Sequence, residues 1–139
     1  MTSISAAAPL RSFIVHLRQI LCADEAEAKR VHRVKDELVG LLETPGWLPG
    51  PCRSGDPETY ARHLLYQDAQ EGFVLVAMVW GPGQQTAIHD HAGVWCVEGD
   101  YEGRIRVSRF DPVGEVGETV RFLPGEIIRA GVGACGALI

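Results

Sequence analysis

Two histidines with one residue between them, His89 and His91, stand inside a frame of glycines: five residues separate Gly83 from the first, and eleven separate the second from Gly103. On a strand, side chains alternate between faces, so both imidazoles leave one side and Asp90 the other. Two imidazoles on one face can share a metal ion. The alternative is a pair of solvent-facing histidines on an edge strand. Either way, the glycines confine the chain to short strands joined by tight turns.

The surrounding sequence agrees. FVLVAMVW at 73–80, QTAIHDH at 85–91, VWCVE at 94–98 and RIRVSRF at 104–110 are β-rich runs separated by glycine-containing turns. With no helices between them, they predict an antiparallel sandwich or barrel rather than a βαβ fold. Upstream the period changes. Leu10, Phe13, Ile14, Leu17, Ile20 and Leu21 line one face of a helix started by Pro9. A second helix is expected from Asp24 to Leu42, with Val31, Val34, Leu38 and Leu41 on its stripe and Asp24, Glu25 and Glu27 in its first turn. Thr44-Pro45-Gly46 ends it. Residues 46–57, rich in Pro and Gly, read as a loop, with Asp56 placed to cap a short helical turn.

The 139 residues suit one domain, residues 1–139, with a helical part over 1–45 and the β region over 58–139. Charged residues make up 22% and the net charge is −5, which offers no basic patch to nucleic acid and favours a small-molecule ligand. Cys22, Cys52, Cys96 and Cys135 form no CxxC pair and read as free thiols. The first residues, MTSISAAAPLRSF, lack a basic stretch followed by an apolar run, and no run is long enough to span a membrane. A cytoplasmic protein without a membrane partner is expected, and nothing in the pattern sets an oligomeric state.

The spacing from Gly83 through His89 and His91 to Gly103 resembles the first metal-binding motif of the cupin barrel, with Cys96 where that motif carries glutamate. GPGQQTAIHDH followed by this cysteine, together with TYARHLLYQD at 59–68 and the strand ending WGPG, resembles the cysteine dioxygenases, most clearly from Thr59 to Phe110. The resemblance implies a mainly β, cupin-type (jelly-roll) barrel with two N-terminal helices. It also implies a non-haem Fe(II) enzyme that adds both atoms of dioxygen to a small thiol, L-cysteine, giving a sulfinic acid. His89 and His91 would hold the iron, although paired histidines accept zinc, nickel and copper as readily. Arg62 matches the arginine that receives the substrate carboxylate, a task suited to a planar guanidinium. Without the resemblance it reads as a surface residue. Cys96 occupies the position of a cysteine that is cross-linked to a tyrosine in the animal enzymes, or is a small buried residue.

The chain departs from the family in one respect: no histidine follows His91. In the family, the third ligand comes from a second motif about fifty residues downstream, and GVGACGALI resembles the strand leading into it. A barrel incomplete at its C-terminus is therefore expected, with open strand edges. Two readings compete with a cysteine dioxygenase: a dioxygenase of 3-mercaptopropionate or another small thiol, and an inactive truncated cupin or non-catalytic metal- or ligand-binding module. Trp95 and Tyr101 read as core, and His16 and His32 as surface or helix-packing residues. His63 is expected to face away from Arg62. Glu98 falls on the face of Cys96 if that strand is regular, and is not assigned as a ligand.

Overall fold

The computed structural model describes residues 6–114 and 120–139. The leader-free reading of the N-terminus falls partly on residues 1–5, outside this range. Helix α1 (Ala8–Leu21) carries Pro9 in its first turn, where the missing N–H has no partner to lose. It buries Leu10, Phe13, Ile14, Leu17 and Ile20 against helix α2 (Glu27–Glu43), which contributes Val31, Val34 and Leu41. Helix α2 starts three residues later than its acidic residues suggest. The Glu25 amide donates to the Ala23 carbonyl in a tight turn, which leaves Asp24 and Glu25 outside the helix. The Glu25 carboxylate instead receives Lys29 at 2.9 Å and Arg33 at 2.7 Å. These two cations hold it below the usual carboxylate range.

A single 3-10 turn, Gly50–Arg53, interrupts the expected loop and buries Cys52. Six strands follow: β1 (Ala61–Gln67), β2 (Val74–Val79), β3 (Cys96–Gly99), β4 (Ile105–Val113), β5 (Arg121–Ala130) and β6 (Cys135–Leu138). All pairing is antiparallel, in three ribbons: β1 with β2, β3 with β6, and β4 with β5. Among the described residues these ribbons do not close into a barrel. Strand β5 has no counterpart in the sequence reading, because Pro124-Gly125 looks like a breaker. The structure places both at a register shift opposite Ser108–Phe110, an irregularity where a proline is tolerated.

The β1–β2 ribbon is anchored to α1 through one carboxylate. A bulge between Leu64 and Tyr66 turns both Leu65 and Tyr66 inward. Tyr66 then donates to Asp68 at 2.8 Å and also receives a guanidinium N–H of Arg18. Asp68, 3% exposed, takes three hydrogen bonds: from the Glu71 amide at 2.7 Å, from Arg18 Nε at 2.8 Å, and from Tyr66. These donors, the Glu71 amide first, outweigh burial and hold its carboxyl at about 2.

The β3–β6 ribbon lies on α2. A Cβ at Gly99 would stand 2.6 Å from Leu42 Cδ1 and 3.0 Å from Leu38 Cδ2, so any side chain there would have to push these methyls aside. Val97, Trp95 and Tyr101 pack on the helical core beside Trp47, whose ring meets Tyr101 edge-on at 5.2 Å. The β4–β5 ribbon differs. Phe110, Val113, Phe122, Leu123, Ile127 and Ile128 are all exposed along it, and Arg106 stands directly opposite Arg129.

Candidate metal centre

Residues 85–91 do not form a strand. Glycines and side-chain clamps shape an irregular segment between β2 and β3 instead. Gly83 takes φ +77°, and the Gln84 carboxamide accepts from the Gly81 amide at 2.6 Å and donates to the Asp56 carbonyl at 2.7 Å. After His91 the chain reverses through Ala92 (φ 53°) and Gly93 (φ 74°), closed by the Val94 amide on the His91 carbonyl at 3.0 Å. Two left-handed central residues make a type I′ turn. Asp90 does not alternate to an opposite sheet face; its carboxylate accepts from the Ala92 amide at 3.0 Å. The strand expectation fails because no second strand among the described residues pairs with this segment, and Asp90 offers the backbone a local partner instead.

His89 and His91 nevertheless lie side by side, their ring centroids 5.5 Å apart and inclined at 60°. His89 Nδ1 is 2.8 Å from the Ala87 carbonyl. A carbonyl only accepts, so Nδ1 carries the proton and Nε2 keeps its lone pair for a metal, the usual backbone support of a ligating imidazole. Residue by residue, the donors suit a divalent cation of the iron or zinc type, which imidazole binds well.

Strand β3 brings up the rest. Val97 points to the helical core, so Cys96 and Glu98 share the opposite face, with Cys96 Sγ 3.9 Å from Glu98 Oε1. Ligand atoms of His91, Cys96 and Glu98 all lie within 4.8 Å of one another. Burial, and then the Glu98 carboxylate, push the Cys96 thiol up to about 11, so it is protonated at neutral pH when no cation is near. Sequence reasoning sets Glu98 on the face of Cys96 by its i, i+2 spacing without assigning it as a ligand; the structure brings it within reach of His91.

Arg62 stands on β1, opposite Met78 of β2, with its side chain exposed and in no ion pair among the described residues. His63 faces the other way and lies 2.8 Å from the Ser54 carbonyl. Next to Arg62, Tyr60 and Trp80 stack at 5.9 Å. His16 stays at the helical surface, 2.9 Å from Glu37.

Short antiparallel strands thus carry a glycine-framed histidine pair and, beside it, a strand-borne thiol and carboxylate, a donor set that could hold a metal ion. The profile of the family described as cysteine dioxygenase type I matches residues 1–111, and the chain belongs to this family. Membership carries the cupin fold and a lineage of metal-dependent dioxygenases acting on small thiols with O2. No helix of the described residues is long and apolar enough to cross a membrane.

Proposed function

We propose that this chain is a non-haem Fe(II) thiol dioxygenase that converts L-cysteine and O2 to cysteine sulfinic acid, with His89 and His91 as iron ligands. One observation supports this above the others: the family match covers the histidine pair, and His89 is held in the tautomer that leaves the Nε2 lone pair free. His89 and His91 would hold the iron, which would supply stabilisation of the substrate thiolate and a common binding centre for thiol and oxygen.

The protein's own residues do the rest. Arg62 presents a guanidinium uncommitted to any carboxylate of the described residues, on strand β1. There it receives the substrate carboxylate through two parallel hydrogen bonds and fixes the thiol end. Cys96 holds its proton in the free chain and stands as a compact, neutral side chain beside His91.

The test is anaerobic iron loading followed by oxygen uptake and sulfinate detection with L-cysteine and with 3-mercaptopropionate. Uptake is expected with L-cysteine and is lost in His89→Ala and His91→Ala. Arg62→Ala should raise KM for L-cysteine by about tenfold or more, the scale of one charge-assisted contact. Preference for 3-mercaptopropionate would reassign the substrate within the same reaction. Iron retention without uptake of either thiol would make the chain a non-catalytic metal-binding cupin.

A further inference from the structure

His91, Cys96 and Glu98 meet more closely than the dioxygenase reading requires. That reading uses two imidazoles from one irregular segment, whereas the structure gathers a nitrogen, a sulfur and an oxygen donor from two elements, each within 4.8 Å of the other two. His89 is not part of this group; its ring is exposed and 5.5 Å from that of His91. We infer that His91, Cys96 and Glu98 form a second metal position, selective for a zinc-class divalent cation, which shares His91 with the iron site and excludes iron when filled.

Distance, charge and softness support this position. Around a tetrahedral zinc, with Zn–S of about 2.3 Å and Zn–N or Zn–O of about 2.0 Å, neighbouring donor atoms stand roughly 3.3–3.7 Å apart. Closing the group to that spacing takes side-chain rotations on the order of 1 Å. Cys96 and Glu98 already point the same way, 3.9 Å apart, because strand geometry puts alternate residues on one face. A thiolate and a carboxylate together cancel the charge of a divalent cation, which two neutral imidazoles cannot do. Thiolate also favours zinc over ferrous iron, following both ligand softness and the divalent affinity order. On binding, the Cys96 proton leaves to solvent and the sulfur becomes a ligand; no electron is transferred.

The inference rests on the proposed function only in taking His91 as a metal-facing residue, and it can be tested without turnover. Cobalt(II) and zinc(II) are titrated into the purified metal-free chain, and the thiolate-to-cobalt absorption and the zinc affinity are followed. One cobalt should bind with a thiolate band. Cys96→Ser should abolish the band, while Cys22→Ser should leave it. Glu98→Gln should keep the band and weaken zinc by about tenfold or more, and His89→Ala should change affinity less than threefold. Thermal melts of each variant exclude loss of fold as the cause. Cobalt binding without a thiolate band, a band that follows Cys22, or binding abolished by His89→Ala but untouched by Glu98→Gln would each overturn the inference. Oxygen uptake by the iron-loaded chain would survive all three outcomes, so the two readings fail separately.

Discussion

Helix α1 and the β4–β5 ribbon carry similar apolar content and meet opposite fates. In α1, Leu10, Phe13, Ile14, Leu17 and Ile20 are all under 9% exposed, because α2, Trp47 and Phe73 cover them. In the ribbon, Leu123 and Ile127 are more than half exposed, at 59% and 57%. Both elements are locally well formed; only α1 has a second layer against its apolar face. Stability therefore resides where two layers meet, and the ribbon is held by its own ladder. The accessible surface of 10106 Å² shows the same thing, since a compact chain of this mass exposes roughly 7,100 Å².

Truncating the same kind of side chain in each region tests the contrast most strongly. Leu17→Ala should cost about 2–5 kcal/mol in urea unfolding, because the site is closed on every side. Ile127→Ala should cost no more than about 0.5 kcal/mol. Equal losses would mean that something covers the ribbon in solution and would break the comparison.

A smaller effect is expected where a ribbon does touch the helices. Gly99→Val drives a side chain into Leu42 and Leu38 and should cost about 1–3 kcal/mol as a lowered midpoint. An unchanged midpoint would mean that β3–β6 is as loosely held as β4–β5.

The third effect shows only in acid. The folded carboxyl of Asp68 lies at about 2, below its ordinary 3.8. Its stabilisation is therefore complete above about pH 4 and is lost as pH falls through 2. Asp68→Asn should flatten the melting temperature between pH 4 and 2. If the slope persists, the tie between α1 and β1–β2 through Arg18 and Tyr66 does not set acid stability.

Much of this contrast can be read from residue order. The 3.6-residue stripes give α1 and most of α2, and the β-rich runs give β2, β3 and β4 but not β1, since periodicity records which side of an element faces a partner. The start of α2 was misplaced because acidic residues also favour the turn before a helix, where Glu25 sits. Strand β5 was hidden by Pro124-Gly125, which marks a bulge here and not an end. At the candidate site, the HxH spacing brings His89 and His91 together, but their backbone is not a strand. Asp90 and the left-handed Ala92–Gly93 pair reshape it, and pattern reading treats Asp90 only as an alternating residue. Glu98 joins His91 across the turn at Ala92–Gly93, seven residues away, a return of the chain that strand alternation alone does not give.

Arg106 facing Arg129 has a consequence for how molecules meet one another. A two-stranded ribbon with bare edges and an apolar surface invites a neighbour's ribbon to add on. Here each ribbon carries four guanidinium groups, Arg106, Arg109, Arg121 and Arg129, against two carboxylates, Asp111 and Glu126, so each such approach would bring two net-positive ribbons together. The ribbon thus carries its own deterrent to clustering, and the deterrent is electrostatic. Its reach shrinks from about 10 Å at 0.1 M salt to about 3 Å at 1 M. Dilute buffer keeps the molecules apart, and concentrated salt removes the barrier while leaving the greasy surface in place.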